Sequence, residues 1–327
     1  MNTKLENTGI GDDQRNFDTV SAKMQATVKN QQRQHIPAQF NKVLVVGLGQ
    51  LGLPVAKYVR ERGYDAYGYD INTTAMHIAK KASIKKAINF GEFDVYILCV
   101  STHRPGDIFS PQIDGLLSVI EKISNEAKNG ALLSIESTIP NGTSKKVFEV
   151  LRHRLHVVHA PHRWYAAEEK EHGINQPRVI GGVCDCCLKA GMQFYGGAQI
   201  RNDNNDKRSL GIPMHPVTEI EIAEITKVAE NAHRYLQIAF AEELYLYCQA
   251  NSINFPELRD AVNTKWNVNI LEPREGIGGH CLPKDTKMFL QSSKSIRSKI
   301  VIAATEVDQD YRRYRQTKGQ TDTRHLI

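Results

Sequence analysis

A glycine-rich hexapeptide, which directly follows a short apolar run, constrains the fold of this chain more than any other feature. The β-branched apolar residues 42–46 predict a buried strand, and the amphipathic pattern of 51–62 predicts a helix. The spacing Gly-x-Gly-x-x-Gly between them is typical of a turn that brings a dinucleotide pyrophosphate to a helix N-terminus. The motif residues are Gly47, Leu48, Gly49, Gln50, Leu51 and Gly52.

An acidic residue at the end of the next predicted strand supports this interpretation. Asp70 closes the run 65–70 and lies 18 residues beyond Gly52. That spacing is close to the one expected for a carboxylate that binds a ribose 2′-hydroxyl. Because a carboxylate repels a 2′-phosphate, the pattern favours NAD over NADP. The alternative is a glycine turn that only connects two elements, and the strand, helix and acid together disfavour it.

Further apolar runs predict strands at 94–100, 131–135, 157–158 and 178–180, with a helix over 113–127. Strands that alternate with helices predict an α/β fold with a doubly wound parallel sheet, a Rossmann fold. Ligands of such sheets bind at the carboxyl ends of the strands. We therefore expect Val100, Ser101, Ser137–Thr138 and Pro161–His162 to lie near one crevice.

The character of the sequence changes after residue 208. Residues 218–250 show a continuous helical pattern without Pro or Gly, and 293–315 show another, so a second, mainly α-helical domain is predicted. We expect a mobile polar tail at 1–40, the NAD-binding domain at 41–208, the helical domain at 209–317 and a polar tail at 318–327. The long helix is the expected surface of a homodimer.

Composition excludes several other classes of protein. The net charge of +6 comes without a dense Lys/Arg block, so nucleic acid is not an expected partner. No apolar run approaches the roughly 18–20 residues of a membrane span. Six unevenly spaced cysteines in a chain of this length are typical of reduced thiols in a cytoplasm.

Two patterns raise the question of a metal, and neither predicts one. The cluster Cys184-Asp185-Cys186-Cys187 has no second ligand pair at zinc spacing, which favours a surface turn. His153, His156, His159 and His162 recur every third residue. On a strand such residues alternate between faces, so the four histidines are not expected to converge.

Chemically reactive side chains concentrate in the helical domain. Cys281 follows a segment in which Gly276, Gly278 and Gly279 allow close backbone approach to a ligand. Nearby cationic groups are expected to make this thiol more easily ionised. Lys227 and Asn231 are four residues apart, so both project from one helix face. Taken singly, Cys281 is more typical of a buried structural cysteine, Lys227 of a solvated helix lysine and Asn231 of a surface amide.

Several segments together resemble the UDP-glucose/GDP-mannose dehydrogenase family over residues 42–316, most closely its UDP-N-acetylmannosaminuronate dehydrogenase branch. The resemblance lies in the glycine motif and the segments 136–143, 223–231, 239–244 and 278–285. It implies a four-electron oxidation by NAD of the C6 alcohol of a nucleotide sugar to a carboxylate, with a UDP-sugar as the favoured substrate. Polysaccharide biosynthesis is the implied setting.

The resemblance also implies roles for individual residues. Cys281 is the implied nucleophile, which forms a thiohemiacetal and then a thioester. Lys227 and Asn231 would act on the substrate oxygen in proton transfer or charge stabilisation. Asp285 would orient water or tune the lysine, and Thr138 would help to place water.

The chain also departs from the family pattern. Where relatives have Pro-Glu after the strand near residue 160, this chain has Pro161-His162, and His162 is a candidate base or the mark of an altered second step. The sequence stops before the third domain that holds UDP in relatives. We therefore expect that nucleotide site to be absent, reduced, or supplied by a partner chain.

Two other functions remain open from the residues alone. A two-electron hydroxyacid-type dehydrogenase can use a Lys-x-x-x-Asn helix pair and needs no thiol. A non-catalytic NAD-binding relative that lost its sugar-nucleotide site is the third hypothesis, because a fold alone does not fix function.

Overall fold

Eight strands in the described part of the chain form one twisted sheet with helices on both faces. The computed structural model describes residues 36–37, 39–104, 106–164, 173–196, 209–279, 281–292 and 297–324. Along the sheet the strand order is β10-β9-β8-β7-β4-β1-β2-β3. The sheet strands are β1 (Lys42–Val46), β2 (Asp65–Tyr69), β3 (Lys85–Lys86), β4 (Val95–Leu98), β7 (Leu132–Ile135), β8 (His156–His159), β9 (Arg178–Gly182) and β10 (Met214–Val217), and a separate hairpin contains β5 (His103–Arg104) and β6 (Asp107–Pro111).

Helices connect these strands and then form the second domain. The helices of the first domain are α1 (Gly52–Glu61), α2 (Thr73–Lys81), α3 (Asp114–Glu126), α4 (Thr143–Leu151) and α5 (Asp185–Tyr195). Those of the second domain are α6 (Ile220–Ala250), α7 (Phe255–Asn263), α8 (Cys281–Ser292) and α9 (Lys299–Arg324). The predicted fold class, a Rossmann sheet with a helical domain, is confirmed.

Alternating residues of the central strands pack into two separate cores, one on each face of the sheet. Val43 and Val45 contribute to one core, whereas Leu44 and Val46 contribute to the other. This alternation follows from the two-residue period of a strand. Because both faces are covered by helices, these strands are apolar throughout rather than alternating with polar residues.

The direction of one strand differs from the prediction. Every pair in the sheet is parallel except β8 and β9, which run antiparallel, with Val158 opposite Gly182. The apolar run at 178–180 predicts a buried strand but carries no information about its direction. The reversal brings the end of β9 to the edge of the sheet at which β8 begins.

Helix bounds in the second domain also differ in part. The glycine-rich segment ends at a helix that begins with Cys281 itself, so the thiol lies at the start of α8 and not within a loop. The last helix begins at Lys299 and reaches Arg324, beyond the predicted Arg315. The predicted tail at 1–40 lies almost wholly outside the described residues, and so does His280. Within the described residues, no helix is both long enough and apolar enough to cross a bilayer.

Candidate active site

The glycine loop between β1 and α1 packs backbone against backbone at two of its glycines. Gly47 has a φ of +86°, and a Cβ at this position would lie 2.6 Å from the carbonyl oxygen of Cys99. A Cβ on Gly52 would lie 1.7 Å from the Gly47 oxygen, whereas a Cβ on Gly49 would meet no atom within 4 Å. The first and third glycines therefore close the turn, and the second leaves space for a ligand. The loop fits NAD.

The carboxylate of Asp70 lies directly beside this loop. One of its oxygens accepts a hydrogen bond from the backbone N–H of Leu48 at 2.6 Å, and the other accepts one from Asn72 at 2.7 Å. The acid therefore holds the glycine loop against the end of β2. Its predicted contact with a ribose hydroxyl stays a prediction.

The segments that follow β4 and β7 meet at the carboxyl edge of the sheet. The Ser137 hydroxyl donates a hydrogen bond to the carbonyl oxygen of Val100 at 2.7 Å. The next residue, Ser101, is exposed, with its hydroxyl 2.7 Å from His103 Nδ1. Thr138 follows Ser137 and is partly buried. The structure thus brings Val100, Ser101 and Thr138 to one edge, as expected from the order of strands.

Behind this edge, Glu136 is the centre of a buried polar network. Its carboxylate lies 3.0 Å from Arg178 Nη1 and 2.7 Å from His162 Nε2, and it accepts a hydrogen bond from the Tyr195 hydroxyl at 2.6 Å. Burial alone would raise the pKa of Glu136, but Arg178 and His162 lower it to about 2. Glu136 is therefore an ionised carboxylate inside the protein.

His162 lies within this network and not at the solvent-facing mouth of the crevice. Its side chain is 6% exposed. Burial and the charge of Arg178 lower the pKa of His162 to about 4, although Glu136 acts in the opposite direction. The imidazole is neutral at neutral pH and lies against Glu136. Its role as a base stays a prediction.

Cys281 projects from the first residue of α8, and this helix packs against both α6 and β6. The side chain is exposed. Lys227 and Asn231 lie one turn apart on α6, the helix that α8 covers. The charge of Lys227 acts on the Cys281 thiol, so the three predicted residues share one site.

A buried ion pair on α8 connects the helical domain to the sheet edge. Lys284 Nζ lies 2.8 Å from Asp285 Oδ1 and donates a hydrogen bond to Thr102 Oγ1 at 3.2 Å. Asn231 Nδ2 donates to the other oxygen of Asp285 at 2.5 Å. Lys284 is 5% exposed and Asp285 2%. Asp285 therefore fixes the amide of Asn231 and the ammonium of Lys284 at the same time.

The ionisation of the thiol differs from the sequence-based expectation. Partial desolvation by the surrounding protein raises the pKa of Cys281, and Asp285 raises it further. Lys284 and Lys227 act in the opposite direction but do not prevail. The expectation that nearby cations make this thiol more acidic is therefore wrong, because partial desolvation of the sulfur and one carboxylate outweigh two ammonium groups.

The glycine segment before Cys281 is held by α9. Gly276 and Gly279 have φ values of +99° and +72°, which a side chain would strain. The N–H of Ile277 donates to Asp308 Oδ1 at 2.9 Å. A cleft of about 310 Å³ adjoins the thiol-bearing helix and is lined by Ile277, Gly278, Gly279, Pro283, Asp308 and Arg312.

Four residues of this site were missed as functional residues by the sequence reasoning. They are Thr102, Glu136, Arg178 and Lys284. Glu136 and Lys284 directly precede predicted site residues, so their neighbours in the motifs offered a signal. Arg178 reaches Glu136 only because β9 joins the sheet, and nothing in its local sequence indicates this.

The cysteine cluster at 184–187 is not the predicted surface turn. Cys184 precedes α5, while Cys186 and Cys187 lie in the first turn of that helix, with Cys187 buried. Cys184 Sγ and Cys186 Sγ lie 3.7 Å and 3.3 Å from His153 Nε2. Arg152 and His153 both have left-handed backbone conformations, which end helix α4. This places His153 beside the end of the antiparallel strand β9.

The other histidines of that repeat behave as expected. His156 and His159 both lie in β8, where residues three apart face opposite sides of the sheet. His159 is fully buried, and burial lowers its pKa to about 3. The described histidines of the repeat do not converge on one point.

A glycine-loop cradle at one end of a Rossmann sheet, beside a helix-borne thiol, lysine and carboxylate, defines a two-domain NAD-dependent dehydrogenase. Comparison with known families agrees. The NAD binding domain of the UDP-glucose/GDP-mannose dehydrogenase family matches residues 78–199, and the central domain of that family matches residues 221–310. The chain belongs to this family.

Individual relatives match most of the chain. A UDP-N-acetyl-D-mannosamine dehydrogenase from Campylobacter jejuni is 30% identical over 306 residues, which cover 83% of this chain and 72% of the relative. An enzyme of the same name from Methanococcus maripaludis is 28% identical and covers 86% and 68%. The solved structure of a UDP-D-ManNAc dehydrogenase from Pyrococcus horikoshii superposes with a TM-score of 0.70 at 26% identity, over 83% of this chain and 68% of that one.

Proposed function

We propose that this chain oxidises the C6 primary alcohol of a UDP-sugar to the carboxylate, with NAD as oxidant and Cys281 as nucleophile. One observation carries the proposal: Cys281, Lys227, Asn231 and Asp285 gather at the edge of the sheet that also carries the glycine-loop cradle. The names of the relatives direct the choice of substrate to a UDP-N-acetylhexosamine.

The first oxidation needs an oxygen held in place while its proton leaves. The ammonium of Lys227 stabilises negative charge on the alcohol oxygen, and the proton passes to water. Asn231 donates to the same oxygen from one helical turn further along, while its amide is oriented by Asp285. Bound NAD supplies the hydride acceptor for both oxidation steps.

The thiol then captures the aldehyde. The sulfur of Cys281 bonds to the aldehyde carbon, and the thiol proton ends on the aldehyde oxygen, which gives a neutral thiohemiacetal. Because partial desolvation and Asp285 raise the pKa of Cys281, the resting thiol keeps its proton at neutral pH and delivers it in this step. Lys227 and Lys284 favour the ionised sulfur while it attacks.

The second oxidation turns the thiohemiacetal into a thioester, and water attacks its carbonyl carbon. The carbon–sulfur bond breaks, the carboxylate leaves and the thiol is restored. The sum is one alcohol, two NAD⁺ and one water converted to one carboxylate, two NADH and three protons. Thr138 helps to place the water, and the ionised Glu136, against which the neutral His162 lies, is the fixed charge behind it.

NADH stoichiometry tests this function. UDP-N-acetyl-D-mannosamine, related UDP-sugars and GDP-sugars are each supplied with excess NAD, and we expect two NADH per UDP-sugar consumed. Cys281→Ala should abolish net NADH formation. Cys248→Ala is the matched control, since this buried thiol lies 21 residues beyond Lys227 on α6, or about 30 Å along the helix.

The alternative functions give different results in the same assay. A two-electron hydroxyacid-type dehydrogenase would form one NADH per substrate and keep its activity in Cys281→Ala. A non-catalytic relative would bind NAD and form none with any sugar. Either result would refute the proposed chemistry.

We also propose that α6 forms the dimer surface. Ile222, Phe240 and Tyr247 are 44%, 55% and 56% exposed, and their spacings of 18 and 7 residues place them on one helix face. Light scattering after size exclusion should give a dimer that Phe240→Lys dissociates. Ile88→Lys changes an even more exposed apolar side chain of the first domain and should leave the dimer intact.

A further inference from the structure

Three thiols and one imidazole converge at the amino-terminal edge of β8. The four ligand atoms, His153 Nε2 and the Sγ atoms of Cys184, Cys186 and Cys187, all lie within 4.8 Å of one another. From the imidazole nitrogen the sulfurs are 3.3 Å, 3.7 Å and 4.0 Å away. Cys184 Sγ lies 2.9 Å from Cys186 Sγ and 3.3 Å from Cys187 Sγ.

These separations suit a tetrahedral ion. With zinc–sulfur bonds of about 2.3 Å and zinc–nitrogen bonds of about 2.0 Å, the ligand atoms of a tetrahedron lie about 3.5–3.8 Å apart. The observed distances lie on both sides of that range. Small side-chain rotations that move Cys184 away from Cys186 would bring these distances into that range.

We propose that His153, Cys184, Cys186 and Cys187 bind one Zn²⁺ ion. Three soft sulfurs and one imidazole in tetrahedral reach select zinc among the divalent metals that proteins commonly bind. Each thiol gives up its proton when it binds, so loading releases three protons to solvent. The ion then carries three thiolates and a neutral imidazole.

A further contact orients one of the three sulfurs. The backbone N–H of Val157 donates to Cys187 Sγ at 3.3 Å, and both residues are buried. Metal-bound cysteines commonly accept such a hydrogen bond from a neighbouring amide, which orients the ligand. The hydrogen bond also fixes the sulfur relative to β8.

The position of the cluster assigns it a structural role. His153 precedes β8, and Cys184 follows the antiparallel β9, so both lie at the edge opposite the glycine loop and Cys281. All four coordination positions are taken by protein atoms, which leaves none for a substrate. The ion ties the end of α4 to the start of α5 and holds β9 in its reversed direction.

Metal content tests the site in the full-length protein, prepared without a polyhistidine tag and under reducing conditions. We expect one zinc per chain by mass spectrometry of the metal. His153→Gln and Cys186→Ser should each lower the zinc content at least tenfold. Cys281→Ala and Cys248→Ala remove thiols elsewhere and should keep one zinc.

Two measurements keep the test independent of misfolded variants. His153→Cys replaces one ligand by another and should retain zinc, which a mere loss of structure would not allow. Cobalt substituted into the unaltered protein should show the intense thiolate charge-transfer and visible bands of a tetrahedral site. Neither measurement uses catalysis, so a failed proposal for the reaction would leave this result unaffected.

Other outcomes overturn the proposal. The first is a zinc content below ~0.1 per chain, which is the background expected of a protein without a zinc site. The others are an octahedral cobalt spectrum, unchanged zinc in His153→Gln, and a disulfide that joins two of the three cysteines in the reduced preparation.

Discussion

The buried imidazole of His162 should make the folded protein less stable in acid, and the size of this effect tests the polar network around Glu136. The pKa of His162 is lowered from 6.5 to about 4, first by burial and then by Arg178. Between these two pH values the unfolded chain binds a proton that the folded chain does not. The contribution of His162 to the free energy of unfolding therefore decreases as the pH falls from 6.5 to 4.

The size of the effect follows from the shift. Each pKa unit corresponds to about 1.4 kcal/mol, so a shift of this size costs about 3 kcal/mol by pH 4. His162→Gln removes the titrating group, so the difference in unfolding free energy between the parent and this variant should shift by about that amount between pH 7 and pH 4. Urea unfolding, followed by far-ultraviolet circular dichroism at pH 7, 6, 5 and 4, measures the difference.

A surface histidine supplies the control. His77 is exposed on α2, and His77→Gln should leave the slope of the parent protein unchanged. The reasoning fails if His162→Gln keeps the parent slope, because the imidazole would then titrate as in water. It also fails if the variant becomes more acid-labile than the parent, which would indicate a protonated His162 that is paired with Glu136 and stabilises the fold.

The remaining predictions concern the buried pair, the cradle and one protonated carboxyl. Lys284→Met leaves the carboxylate of Asp285, which is 2% exposed, without its cation. The free energy of unfolding should therefore decrease by about 3–5 kcal/mol. The double variant with Asp285→Asn should recover much of that loss. Gly52→Ala should destabilise the fold because its Cβ would lie 1.7 Å from a backbone oxygen. Gly49→Ala should fold normally, but calorimetry should show that it binds NAD weakly. Equal stability of the two variants would contradict the described packing of the loop. Burial and a neighbouring aspartate raise the pKa of Glu242 to about 8. The contribution of this group to stability should therefore fall by up to about 1.4 kcal/mol per pH unit as the pH rises from 4.5 to 8. Glu242→Gln should remove that contribution in urea unfolding.

Much of the fold could be predicted from the sequence because its signals are local. The apolar run before Gly47 and the amphipathic pattern after Gly52 are sufficient for a strand, a turn and a helix, since a motif of six residues restricts its own backbone. Lys227 and Asn231 lie on one helix face for the same reason, because a helix fixes which residues share a side.

The direction of β9 and the starting residue of α8 could not be predicted in this way. An apolar run is compatible with either strand direction, and the choice depends on which edge of the sheet is available when the run arrives. Cys281 lies in a segment whose glycines favour a loop, and packing on α6 and β6 extends the helix back to the thiol.

The sequence by itself determined the strand–glycine–helix unit, the helical domain and the residue types of the thiol site, because each depends on spacing along the chain. Only the tertiary structure decided how those groups ionise and which of them meet. The pKa of Cys281 is raised because packing desolvates the thiol and brings Asp285 beside it. His153 reaches the cysteines of α5 because β9 runs backwards, and contacts between distant segments exist only once the chain has folded.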